Sequence, residues 1–128
     1  LKRAKDEKVD ILSGLYLMQG GDVFATVKDW DKEFFAKNGY FKFLKPKDIE
    51  GKKDIFPVSY TGFGWLLVKK GVFESLDYPW VQPTWFEMGD IREMTTTDCG
   101  FMHRAAEKGF KTYIDPTIIV GHEKSVIL

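Results

Sequence analysis

The stretch Met94-Thr-Thr-Thr-Asp98-Cys-Gly-Phe-Met-His-Arg-Ala-Ala-Glu-Lys-Gly109-Phe-Lys-Thr-Tyr-Ile-Asp-Pro-Thr-Ile-Ile-Val-Gly-His122 contains an extended approach, a helix, a stop and two apolar runs. Three threonines favour extended backbone before Asp98, because β-branched side chains suit a strand better than a helix. An aspartate at a helix start is stabilised as the anion by unpaired N–H groups and the macrodipole. Phe101, Met102, Ala105 and Ala106 supply an apolar stripe at helical spacing, which predicts a helix over residues 98–108. Gly109 ends it. Residues 111–114 and 117–120 read as strands split by Asp115-Pro116, and His122 follows the second. This order aims a carboxylate from a helix N-terminus and an imidazole from a strand end.

Upstream, residues 9–18 form an apolar run between charge and Gly20-Gly21, read as a buried strand and a hairpin signal. Residues 22–27 would return as its partner. Asp29 or Asp31 caps a short helix carrying Phe34 and Phe35, which Asn38-Gly39 ends. Residues 41–54 mix five lysines with Pro46 and Gly51 and read as a solvated loop. Residues 55–60 and 64–68 read as strand, bend and strand. Residues 70–76 form a short amphipathic helix with Val72, Phe73 and Leu76 inward. Residues 78–87 hold two prolines and two tryptophans and read as an irregular loop, and residues 1–8 are charged and helix-compatible.

The chain has 128 residues, enough for one domain over residues 1–128. Hydrophobic residues at 44% and charged residues at 30% describe a globular chain. Nineteen basic and nineteen acidic side chains cancel, so nothing in the charge points to nucleic acid or an anionic membrane. The apolar stretches are too short for a transmembrane segment. The start shows no basic region followed by an apolar one, and Cys99 is the sole cysteine. A reducing, cytoplasmic location is therefore the expectation. Aromatic residues reach 16%, with eleven Phe, five Tyr and four Trp. They suit either a core built on large side chains or a cleft whose flat rings stack on sugars.

Asp98 can be a helix cap, a general base, or both at once. His122 at a strand end is a metal ligand only with partners. Cys99 and His103 stand four apart on one helical face, a chelating spacing that by itself seldom makes a zinc site. Cys99 is read as a small buried side chain and His103 as surface or satisfied core. Gly62-Phe63-Gly64 before Trp65 marks a bend or the close approach of a bulky ligand. Neither a phosphate-binding loop nor a dinucleotide fingerprint is present, and no Gly-x-Ser-x-Gly occurs.

Several blocks stand in a telling order: Val9-Asp-Ile-Leu-Ser-Gly-Leu-Tyr16, Thr61-Gly-Phe-Gly-Trp-Leu-Leu-Val68, Val72-Phe-Glu-Ser-Leu76 with Pro79-Trp80-Val81, Asp98, Gly109-Phe-Lys-Thr-Tyr-Ile-Asp-Pro116 and Val120-Gly-His122. In this order the chain resembles the C-terminal, acceptor-side half of bacterial GT-A glycosyltransferases of the inverting, nonprocessive, family 2-like kind. The resemblance implies that Asp98 is the base that deprotonates the acceptor hydroxyl. It implies that His122 joins an Asp-x-Asp motif in holding Mn2+ or Mg2+ on the nucleotide diphosphate. Gly62, Phe63 and Gly64 would line the donor sugar and acceptor, and Trp80 and Trp85 would shape acceptor choice. Thr97 stands where the family usually has Glu; Glu87, Asp90 and Glu93 lie nearby. Asp29-Trp-Asp31 has the Asp-x-Asp spacing but follows the strand it should precede, so it is read as a helix cap. The processive Gln-x-x-Arg-Trp signature is missing.

The expected architecture is α/β, a mixed sheet with flanking helices. It is a partial GT-A (nucleotide-diphospho-sugar transferase) fold without its N-terminal nucleotide-binding half. Asp98 and His122 are expected to face one cleft at a sheet edge. The implied partners are a nucleotide-sugar donor and a glycan or other hydroxyl acceptor, with missing parts placing the enzyme peripherally on a membrane. A piece of such an enzyme is expected to be inactive alone and to self-associate through exposed apolar surface. Two other readings are a stand-alone carbohydrate-binding α/β module without catalysis, and a structural domain whose stability no ligand changes.

Overall fold

The computed structural model describes residues 2, 5, 8–18 and 20–121. The charged helix expected over residues 1–8 falls largely outside them, and His122 wholly so. Among the described residues the fold is mixed α/β, built on a four-stranded mixed sheet with two complete helices. One of its two inner strands, β1 (Ile11–Leu15), is buried along its whole length. A strand covered on both faces reads as a continuous apolar run, which is how residues 9–18 announced it. Ser13 is the polar exception, and its Oγ donates to the Gly14 and Trp65 carbonyls at 2.8 Å each. That removes the penalty of an unpaired buried hydroxyl.

The elements following β1 are β2 (Thr26–Val27), α1 (Lys32–Asn38), β3 (Phe56–Val58), β4 (Tyr60–Thr61) and β5 (Leu66–Val68). The chain continues through β6 (Trp85–Met88), β7 (Ile91–Met94), α2 (Thr97–Glu107) and β8 (Thr112–Ile119). The main sheet runs β3-β8-β1-β5, with β8 parallel to β1 and the other two pairings antiparallel. Successive β1 side chains alternate faces. Ile11 packs with Phe101, Met102 and Ala105 of α2 and with Val72 and Leu76. Leu12 joins Val9, Ile55, Leu67 and Tyr113. Leu15 packs with Ile114, Phe24, Val58 and Ile49.

Several local expectations hold, and others give way to tertiary pairing. Asp31 caps α1 by accepting from Phe34 N at 2.9 Å, and Gly39 ends it at φ 77°, a conformation glycine adopts freely. Residues 22–27 meet β1's continuation only through the Leu17–Phe24 bridge; β2 pairs instead with β4, where the Thr26 and Thr61 hydroxyls lie 3.0 Å apart. The lysine-rich loop is not wholly solvated, because a 3-10 turn (Pro46–Ile49) buries Ile49. Residues 70–76 give a 3-10 turn at Phe73–Ser75, with Val72 and Leu76 buried as expected. Trp85 to Glu87 belong to a β-hairpin, since β6 finds its partner in β7. Asp115-Pro116 does not split β8; it falls where the β1–β8 register shifts, and Asp115 accepts from Thr117 N at 3.0 Å. A bulge accommodates a proline that a regular ladder would exclude. No helix among the described residues is long and apolar enough to cross a membrane.

Candidate functional site

The N-terminal turn of α2 meets the start of β4, and there the chemistry concentrates. Thr96, not Asp98, is the cap residue of α2, so Asp98 stands one residue inside the first turn. Its Oδ1 accepts from Thr96 Oγ1 at 2.6 Å and from the Cys99 backbone N–H at 2.8 Å. Its Oδ2 accepts from the Tyr60 hydroxyl at 3.0 Å. A carboxylate held on both oxygens has one orientation and keeps lone pairs for a further donor.

Helix α2 is seated firmly enough to fix that turn. Phe101 and Ala105 are fully buried beneath it, and the Met102 sulfur receives Thr61 N at 3.4 Å and Thr112 Oγ1 at 3.8 Å. Ala106, counted with the apolar stripe, faces outward instead. Gly100 touches the Gln82 carbonyl so closely that a Cβ there would overlap backbone. The segment before β6 is thus laid directly against the helix.

Two tyrosines crowd the carboxylate. Burial first, and then the Asp98 charge, push the Tyr60 phenol far above the ordinary tyrosine range. Tyr60 therefore keeps its proton, and its role as donor, well above the pH at which an ordinary tyrosine loses it. The same causes in the same order raise Tyr16. The Tyr16 ring lies across Gly62 and Gly64, where any Cβ would collide with it. These glycines make room for a bulky group, and that group is the protein's own Tyr16. Cys99, buried beside Asp98, has its thiol raised to about 11 by burial and then by the carboxylate.

Beside Asp98 opens an aromatic cleft of about 490 Å³, with Tyr60, Thr96 and Cys99 in its wall. Trp30 organises it: its ring lies 4.7 Å from Phe41 and 4.7 Å from Phe86, and stacks at 6.4 Å on Tyr60. Tyr40 and Met94 form exposed parts of the rim. Sequence reasoning singled out Asp98 but not Tyr60, Tyr16 or Trp30. The one local signal was Gly62-x-Gly64, which marks a close approach without naming what approaches.

The other sequence-chosen residues divide into two sets. Phe63 packs on Phe101 at 5.6 Å, Phe101 on Phe73 at 5.1 Å, and Phe73 on Trp80 at 5.3 Å, forming one aromatic row. Phe63 and Trp80 are 40% and 39% exposed, so the row ends in two accessible rings. Arg104 of α2 holds the Trp80 segment, donating to the carbonyls of Asp77 at 2.5 Å, Pro79 at 2.8 Å and Trp80 at 3.2 Å. Trp85 is not part of that row. It stands exposed on β6, with the Arg92 guanidinium 4.3 Å above its ring. His103 pairs with Glu107 at 3.4 Å and meets Phe86 edge-on, which is the satisfied role expected of it.

Comparison of the chain with protein-family models, curated proteins and solved structures finds no match. Among the described residues no group of three or more His, Cys, Asp or Glu side chains converges to hold a metal ion. These residues by themselves do not make a Mn2+ or Mg2+ site, and His122 lies outside them.

Proposed function

We propose that this chain is the acceptor side of a GT-A nucleotide-sugar glycosyltransferase, with Asp98 as general base. The observation that carries the reading is the Asp98 carboxylate, fixed by Thr96, Cys99 N–H and Tyr60 beside an aromatic cleft. Such a site suits removal of a proton from a neutral hydroxyl, because the base is held in one orientation with lone pairs left to accept.

An acceptor bound in the cleft would have to extend past Tyr60 and Thr96, which line it, to bring its hydroxyl to a free lone pair of Asp98 behind them. As that oxygen bonds to the anomeric carbon of the donor sugar, its proton passes to Asp98. The bond from the anomeric carbon to the nucleotide diphosphate breaks on the opposite side, the diphosphate leaves with the electron pair, and the anomeric configuration inverts. Tyr16, whose ring covers Gly62 and Gly64, would border the reacting centre in their place. Phe63 and Trp80 would extend the acceptor surface.

The test is Asp98→Asn in the protein that carries this chain, assayed for transfer from a panel of nucleotide sugars. Loss of a general base predicts a fall of about 10²–10⁴ in transfer rate with donor affinity unchanged and the variant still folded. Full transfer by the variant would end the proposal. The aromatic lining also favours a second reading, a carbohydrate-binding module without catalysis. Glycan binding that needs no metal, together with no donor binding, selects that reading.

A further inference from the structure

We propose that the cleft beside Asp98 is an acceptor subsite for an uncharged pyranoside; this rests on the transferase reading above and supplies its substrate class. The cleft's volume of about 490 Å³ lies within the range of small-ligand sites, roughly 300–1,000 Å³. Its walls are chiefly rings, those of Trp30, Phe35, Tyr40, Phe41, Phe43 and Tyr60. Flat rings offer apolar faces to the C–H face of a pyranose, while its hydroxyls need a few polar partners at the edge. Thr95, Thr96 and Glu93 supply them.

Charge narrows the class further. The only charged side chain lining the cleft among the described residues is Glu93, and Asp98 adjoins the wall through Tyr60 and Thr96. Among the described residues no Lys, Arg or His lines the cleft, so a phosphate or carboxylate would meet Glu93, with Asp98 behind the wall, and no cation. Recognition of such anions calls for the opposite arrangement, with Arg or Lys in place. An uncharged sugar pays no such penalty.

The decisive experiment titrates the protein, without donor, with methyl glycosides of glucose, galactose and mannose, followed by ligand-detected and protein-detected NMR. Methyl glucuronide, glucose 6-phosphate and tetramethylammonium serve as charged probes. At least one neutral glycoside should bind about fivefold or more tighter than either anion, the factor expected of one nearby like charge in water. Tyr40 is 57% exposed with one ring neighbour, Phe34, so Tyr40→Ala should stay folded. It should weaken the neutral glycoside by about fivefold through lost ring contact. Glu93→Lys should raise the affinity for both anions.

No saturable neutral glycoside, unchanged affinity in Tyr40→Ala, or tighter binding of tetramethylammonium would each overturn the subsite. Loss of transfer in Asp98→Asn with no glycoside in the cleft also overturns it, yet leaves the transferase reading standing. Glycosides in the cleft with full transfer by Asp98→Asn would overturn the reading beneath it.

Discussion

Tyr60 sets the orientation of Asp98 without being able to take its proton. Its phenol is held protonated by burial and by the carboxylate it serves, so it goes on donating to Oδ2 well above the ordinary tyrosine range. Tyr60→Phe removes that donor and keeps the ring stacked on Trp30. Under the proposed mechanism, kcat should fall about tenfold, the worth of a hydrogen bond to a charged group, with acceptor KM unchanged. A change in KM alone would reduce Tyr60 to a wall of the cleft. Cys99 makes a second prediction. Its folded thiol, raised to about 11, keeps its proton where an unfolded chain with the ordinary value of 9.0 loses it. Stability should be whole below pH 9.0 and fall as pH climbs from 9.0 through 11, because there the unfolded state binds fewer protons. Tyr16 and Tyr60 shift in the same direction and deepen the fall. Urea midpoints measured across that window check this, and Cys99→Ala should lessen the drop; a flat profile would contradict it.

Among the elements, α2 carries Asp98 in its first turn and holds the segment of residues 77–82 along its length. Arg104 ties three carbonyls of residues 77–80 to the helix, and Gly100 lets the Gln82 carbonyl rest against it. Arg104→Ala should lower stability by only about 1 kcal/mol, since water can replace the lost donors at an exposed site. It should open the bonds near Trp80 to limited proteolysis and raise acceptor KM more than it lowers kcat. Unchanged cleavage would show that Gly100 packing holds the loop unaided. The elements also explain what the sequence could reveal. Helix α1 was legible because Asp31 and Asn38-Gly39 act locally, and β1 because burial on both faces leaves an unbroken apolar run. Strand β6 was hidden among Trp and Pro residues, since only its pairing with β7 makes it a strand. Proline at position 116 suggested a break that the β8 bulge absorbs. Asp98 was legible as a charged helix start, whereas Tyr60 and Trp30 were not. Which strand end and which loop ring come to rest beside that helix is settled by sheet order, and no local pattern encodes it.

Across the whole molecule, large apolar side chains remain in solvent. Leu17, Met18, Tyr40, Phe63, Trp65, Tyr78, Trp80, Val81, Trp85, Met94 and Ile119 are each at least 36% exposed. Scattered exposed apolar residues are ordinary, but large surface rings in this number favour contact with something else. The described chain is expected to self-associate, with sedimentation velocity giving a mass that rises with concentration and falls when a sugar ligand is added. A constant monomer mass would mean that these rings serve ligands alone. The sheet carries a further consequence, for how the protein is made. Strand β8 lies between β1 and β3, so the centre of the sheet is supplied by residues 112–119. Until the ribosome has released those residues, β1 lacks its parallel neighbour and β3 lacks the one partner it has in the sheet among the described residues. Pairings of such long sequence separation close late, because the loop entropy comes before the contacts that offset it. A nascent chain stalled before residue 112 would leave one side of β1 open and β3 outside the sheet, although β1–β5, β2–β4 and the Tyr60–Asp98 contact use only residues already made.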